Sequence, residues 1–339
     1  MHPALQGIIT ILVGVGGCVG YFYFSNQFID KVLFPARGEN AGRNINRANI
    51  IRPWLFLLPA LLALGLYLAY PVIETLRLSL TERSTLPDGS TAYAWAGADN
   101  YRQMLNEPKF WEALKNNAMW LAVVPALATA FGLLAAQLTD RIKWGNIAKS
   151  LIFMPMAISF VGAAVIFKLV YDMRPIEQEQ IGILNALYLK FGGEAPIAWL
   201  TEPFWNNFFL MAVLVWIQTG FAMVILSAAL RGIPEETIEA AIVDGANPFQ
   251  VFFKIKVPQI KGTIMVVWTT ITIVVLKVFD IVFAMTNGQW ETQVLANYMY
   301  DKLFRSNDWG VGSASAMVIM LLVTPILVWN VRNARNEMK

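Results

Sequence analysis

Charge is what this chain has least of. Only 14% of its 339 residues are Asp, Glu, Lys or Arg, where a soluble globular domain carries about 25%. That shortage excludes a water-exposed surface of ordinary size. A single cysteine, Cys18, excludes an internal disulfide and a cysteine-based metal cluster. A single histidine, His2, lies at the terminus and removes most histidine-dependent catalysis and ligation. The sequence has no G-x-x-x-x-G-K-[ST] run, so it cannot cradle ATP in a P-loop. It has no H-E-x-x-H or G-x-S-x-G motif either, and a membrane-embedded enzyme ranks last among the readings. A net charge of +3 is too small to argue for nucleic acid.

What the chain has is apolar sequence. It is 57% hydrophobic with a mean hydropathy of +0.51, the composition of an integral membrane protein. A spanning helix needs ~20 mostly apolar residues, and seven segments qualify: 4–24, 54–73, 116–138, 150–171, 204–228, 262–285 and 310–331. The expected fold is therefore an all-α membrane protein of about seven transmembrane helices. The first segment lacks a basic start and a small-residue cleavage site, so it reads as a retained span rather than a signal peptide. Its Gly16 and Gly20 form a GxxxG pair suited to close helix packing.

One polar stretch interrupts this pattern, between the fifth and sixth spans. Pro234 suits the first position of a helix, and Glu235 and Glu236 complement the dipole of its first turn. Gly245 is placed to end that helix in a left-handed conformation. Asn247 can cap a second helix, Pro248 can open it and Pro258 can stop it. Helix, tight turn, helix is the expected form. Small Ala240 and Ala241 would let another surface approach closely.

The spacing of Glu239, Ala240, Ala241, Gly245, Ile255 and Pro258 resembles the "EAA" coupling loop of ATP-binding-cassette (ABC) importer permeases. Val257 stands where Leu is usual. The resemblance extends over roughly 53–332. It takes in Pro53–Pro59, Tyr70-Pro71, Asn116-Asn117, Gln137 to Arg141, Phe153-Met154-Pro155, Gly182 to Asn185, Lys277 to Asp280, Thr286-Asn287-Gly288 and Thr292 to Gly310. The layout is similar to the carbohydrate branch of type I importers, to the larger permease of a heterodimeric sugar importer such as the maltose system, and most of all to alpha-glucoside importer permeases. It implies an N-terminal span and basic linker over 1–52, a permease domain over 53–332 with its coupling loop at 234–258, and a short cytoplasmic tail over 333–339.

The resemblance implies that the loop docks on a cytoplasmic ATPase, with Glu239 against a basic group, Gly245 shaping the turn and Asp244 bordering it. The implied partners are an ATPase homodimer, a second permease, a periplasmic solute-binding protein, the bilayer and a sugar. ATP and Mg would bind the ATPase, and this chain would bind no cofactor. With the loop in the cytoplasm, the inside segments hold 15 Lys and Arg and the outside segments 9, in keeping with the positive-inside rule. Seven spans then put the N-terminus in the periplasm and the C-terminus in the cytoplasm of a bacterial inner membrane.

Charge within a span needs a partner or a wet surface. Lys277 and Asp280 are three residues apart, with Thr270 one heptad earlier and Thr269 beside it. In one helix they would form a polar stripe, read either as a sugar pathway with Phe279 nearby or as an intrahelical ion pair. Trp216 is a further pathway candidate, while Gln218 is expected to hydrogen-bond between helices and Lys168 to snorkel. Val275, Lys277 and Val278 stand where the sugar-importer family has amides, so no sugar ligand is transferred residue by residue. Aromatics at 286–309 fit either interfacial anchoring or binding-protein docking. The competing function is a self-sufficient secondary transporter, which would need coupling residues in the membrane and usually an internal repeat. Only Lys277 and Asp280 offer themselves, and no repeat is evident.

Overall fold

Lipid cannot satisfy backbone N–H and C=O groups, so long apolar segments fold as helices that bond internally. The computed structural model describes residues 3–37, 41–85, 91–140 and 142–337. His2, Arg141 and the last two residues of the tail lie outside that set. Five helical runs among the described residues are long and apolar enough to cross a membrane, or up to seven if two bent pairs each count as one span. The chain divides into two compact units, Met1–Glu74 and Thr75–Lys339.

The first unit holds α1 (Pro3–Phe28), followed by a π turn at Ile29–Leu33, and α2 (Ala41–Leu64) with a second π turn at Gly65–Ala69. Tyr21 Oη donates to the Leu55 carbonyl at 2.8 Å, and the Phe22 and Phe56 rings meet edge to face. Arg52 pairs with Asp30 at 2.7 Å. Gly16 has no atom within 4 Å of an added Cβ, and Gly20 meets only its own helix's Phe24. The GxxxG pair therefore packs against no other helix among the described residues of the first unit.

After α3 (Tyr70–Ser79) the second unit opens with a hairpin of β1 (Thr81–Thr85) and β2 (Thr91–Trp95), antiparallel with Thr81 opposite Trp95. It is an addition to an otherwise helical fold. Next come α4 (Asp99–Asn106), α5 (Pro108–Thr139), α6 (Gly145–Phe153), α7 (Phe160–Val170), α8 (Ile183–Lys190) and α9 (Trp205–Arg231). The core is the seam between α5 and α9, where Trp120, Val124, Ala128 and Ala136 meet Leu210, Leu214, Met223 and Leu226. Small residues set its closeness. A Cβ on Gly132 would lie 2.4 Å from Ala222 Cβ.

Two expected spans are broken. Segment 150–171 is not one helix, because α6 and α7 meet at 103° across a 3-10 turn at Met154–Ala157. Pro155 brings no N–H to that turn, and Ser159 caps α7 by accepting from Gly162 N at 3.1 Å. Segment 262–285 also divides. α10 (Glu235–Val243), α11 (Pro248–Gln250) and α12 (Val257–Gln259) precede α13 (Lys261–Leu276), which ends at Lys277, and α14 (Asp280–Met285) restarts after Phe279. Asp280 falls in the first turn of α14, where the helix dipole favours it. Finally α15 (Leu295–Tyr300) leads through a π turn at Asp301–Arg305 into α16 (Trp309–Glu337).

Candidate functional site

The polar stretch folds as helix, turn, helix. Pro234 is the N-cap of α10 rather than its first helical residue, with Glu235 and Glu236 following in the first turn. The helix closes with a Schellman arrangement. Ala246 N donates to Ala241 O at 2.9 Å and Gly245 N to Ile242 O at 3.0 Å, with Gly245 at φ 85°. Asn247 and Gln250 form a reciprocal capping box at 2.9 Å each. Pro258 does not stop the second helix. A π turn at Val251–Lys256 carries the helix past the missing N–H to Gln259, and the chain bends 71° before α13.

Glu239, Ala240, Asp244, Gly245 and Pro258 are exposed, Ile255 is half-buried, and Ala241 is buried at the base of α10. Val243 and Phe249 flank the turn, 86% and 77% exposed, with Ile242 and Phe253 also open. An apolar cluster of that exposure beside acids is the mark of a contact surface. The spacing pattern did not single out these four residues. The signal was present as large apolar side chains in an otherwise polar segment.

The pathway candidates do not share one face. Helix α13 ends before Asp280, so Thr270, Lys277 and Asp280 form no stripe, and no ion pair joins Lys277 to Asp280 among the described residues. Thr270 bonds back to the Val266 carbonyl at 2.8 Å, and Thr269 to Met265 and Val266. Lys168 does not only snorkel, since its Nζ donates to the Ala284 carbonyl at the end of α14, 3.3 Å away. Asp280, Gln218, Ser159 and Phe160 line one cavity of about 410 Å³ at the α6–α7 break. Gln218 makes no helix-to-helix hydrogen bond among the described residues and lines that cavity instead. Trp216 faces elsewhere, into an apolar cavity of about 640 Å³ with Leu127, Phe131 and Leu151, and its ring meets Phe167.

At the opposite end from the loop, asparagines hold an irregular segment. Asn116 Nδ2 donates to the Glu291 and Gln293 carbonyls at 2.8 Å each, Asn117 Oδ1 accepts from Leu295 N, and Asn206 and Asn207 reach Trp290 O and Glu291 O. These bonds hold Asn287, Gly288, Trp290 and Glu291 at positive φ. Tyr298 is not an interfacial anchor. It is buried, donates to Glu107 Oε2 at 2.7 Å, and has its hydroxyl pKa pushed up by that burial and by the Glu107 carboxylate.

A family profile described as "Binding-protein-dependent transport system inner membrane component" matches residues 128–334. The chain belongs to this family. It is 61% identical over 341 residues to the alpha-glucoside transport system permease protein AglF of Rhizobium meliloti (strain 1021), with 99% of each chain covered. It is 45% identical to the osmoprotective compounds uptake permease protein GgtC of Synechocystis, covering 84% of this chain and 99% of that one. Among solved structures, a bacterial ABC transporter involved in import of the acidic polysaccharide alginate matches with a TM-score of 0.72, covering 89% of this chain and 100% of that one. At 20% identity that likeness is one of fold.

At its loop end the permease carries a charged latch absent from the sequence-based candidates. Asp140, just past α5, accepts from Lys149 on α6 and from Ser227 and Arg231 on α9. Burial alone would raise the Asp140 pKa. The hydrogen bonds and charge of Lys149, with Ser227 and Arg231, outweigh it and hold the carboxyl below its ordinary value. Lys256 Nζ donates to Gln137 Oε1 at 3.3 Å, tying the second loop helix to the same corner.

Proposed function

We propose that this permease is one membrane subunit of an ATP-driven importer of alpha-glucosides. The observation that carries the reading is the exposed helix-turn-helix at the end of α9, which presents Glu239 and Asp244 beside Val243 and Phe249. A surface of that chemistry fits a basic, partly apolar cleft on a cytoplasmic ATPase. The substrate class rests on full-length identity to AglF. ATP and Mg would bind at an ATPase dimer, a second permease would complete the pathway, and a periplasmic binding protein would deliver the sugar. The N-terminus would lie in the periplasm and the C-terminus in the cytoplasm.

Glu239, Ala240, Ala241, Asp244, Gly245, Ile255 and Pro258 form the coupling element, with Ile255 and Ala241 turned inward as its packing base. Closure of the ATPase dimer pulls the loop, and the Asp140 latch passes that motion to α5, α6 and α9 as a body. The cavity at Asp280, Gln218 and Ser159 is where sugar hydroxyls find hydrogen-bonding partners, and Lys277 and Phe279, just before Asp280 in the chain, stay in the pathway proposal. Thr270 bonds its own helix through its hydroxyl hydrogen and keeps an acceptor, and Trp216 lines the apolar cavity, so both stay in the pathway proposal.

The test is uptake of radiolabelled maltose by the complete transporter in proteoliposomes with ATP. Glu239→Lys is expected to insert and assemble while abolishing ATP-coupled uptake. Normal uptake by that variant, or uptake by this chain without an ATPase, refutes the reading.

A further inference from the structure

A polar cavity of about 440 Å³ lies within the first unit, lined by Tyr23, Asn26, Gln27, Asp30 and Lys31 at the end of α1 and by Arg52 on α2. Its depth in the bilayer follows from the sequence. Asp30 is the first Asp, Glu, Lys or Arg in the chain, and Arg52 is the last before the apolar run 53–73. At about 1.5 Å per residue, the part of α1 before Tyr23 is long enough to cross a hydrocarbon layer of about 30 Å. The cavity therefore sits where both apolar runs meet the headgroup layer.

Its polar groups are not matched to one another. Arg52 pairs with Asp30 through one terminal guanidinium nitrogen at 2.7 Å, which cancels those two charges. Lys31 has no ion pair among the described residues, so the cavity keeps one net positive charge. Gln27 Nε2 donates to Tyr23 Oη at 3.4 Å. Two buried atoms have no hydrogen-bond partner among the described residues: Arg52 Nε, a donor, and Asn26 Oδ1, an acceptor. Buried polar atoms left so are costly. Water would satisfy both atoms but would bring no charge to Lys31. A phosphodiester carries one negative charge and accepts from Lys31 and Arg52 Nε, and a hydroxyl on its headgroup donates to Asn26 Oδ1. Phe24, Phe28 and Trp54, close by in the chain, are exposed, as aromatics at the headgroup level of a bilayer are.

We propose that the cavity between α1 and α2 binds the headgroup of a monoanionic, hydroxyl-bearing phospholipid of the phosphatidylglycerol class. Lys31 and Arg52 hold the phosphate, and Asn26 accepts from the headgroup hydroxyl. The lipid bridges the two helices of the first unit at one membrane face, as basic pockets between spans hold anionic headgroups elsewhere. The site does not depend on what the permease transports.

The experiment is titration of the delipidated, full-length permease in its complete complex with defined lipids, with bound lipid counted by native mass spectrometry. The wild type is expected to bind phosphatidylglycerol more tightly than phosphatidylcholine, and more tightly than phosphatidylmethanol, which has the same charge and no headgroup hydroxyl. Lys31→Gln is expected to weaken phosphatidylglycerol binding about fivefold, the weight of one cation at a lipid surface, and Lys31→Arg to retain it. Asn26→Ala should erase the preference over phosphatidylmethanol. Arg47→Gln makes the same charge change on an exposed residue of α2 outside the cavity and should leave binding unchanged. Equal binding of phosphatidylglycerol and phosphatidylcholine, or equal losses in Lys31→Gln and Arg47→Gln, overturns the site. Displacement of the lipid by an equal concentration of water-soluble glycerophosphoglycerol or inorganic phosphate shows a soluble phosphate as the occupant and overturns the lipid assignment.

Discussion

Gly245 gives the sharpest test of the coupling element, because its reason for being glycine is purely conformational. A Cβ added there meets no atom within 4 Å, yet φ is 85°. Any cost of substitution is therefore dihedral, about 1–2 kcal/mol for a residue with a β-carbon in the left-handed region. That cost lowers the ratio of closed to open turn by roughly fivefold to thirtyfold. An open turn also releases the Ala246 and Gly245 bonds to Ala241 and Ile242, which sets α10 free of the capping box at Asn247. The expected order of ATP-coupled maltose uptake is Gly245, then Asn, then Ala, then Val, because Asn visits the left-handed region readily and a β-branched residue does not. Gly245→Asp should resemble Asn in the turn and lose further uptake by adding a second acid beside Asp244. Membrane insertion should be unchanged throughout, since the position makes no contact within the chain. Uptake by Gly245→Val equal to that of wild type, or loss by Asn as complete as by Val, would refute the dihedral argument.

Three further outcomes follow from the packing. Asp140→Asn should lower the thermal midpoint of the complex by leaving Lys149, only 13% exposed, without its carboxylate. Because the folded pKa of Asp140 lies below 3.8, its contribution is fully present above that value and is lost only as the pH falls through the lower folded value, so melts between pH 5 and 8 should show no pH dependence from this group. Asn116→Leu strands the Gln293 carbonyl and leaves Glu291 O only its bond from Asn207, and should cost about 1–3 kcal/mol with faster proteolysis at 286–293. Gly132→Ala places a methyl 2.4 Å from Ala222 Cβ and 2.9 Å from Met223 N, and should cost about 1–3 kcal/mol in melting of the purified complex.

The sequence by itself determined the membrane class, the number of apolar segments, and the helix-turn-helix at 234–258. These are decided by local terms: apolar run length, proline and glycine dihedrals, and capping side chains within a few residues of their targets. The capping box at Asn247 and Gln250 and the left-handed Gly245 needed no partner from elsewhere in the chain. Tertiary structure alone decided where helices break and what a polar side chain faces. Lys277 and Asp280 read as one helix face by spacing, but α13 ends at Lys277 and α14 begins at Asp280, and the far end of α14 is met by a group distant in sequence, Lys168 at the Ala284 carbonyl. Gln218 and Asp280 reach one cavity, and Asp140 reaches Lys149, Ser227 and Arg231, because α5, α6, α7, α9 and α14 pack together. Periodicity along a single helix carries no record of which other helix lies beside it.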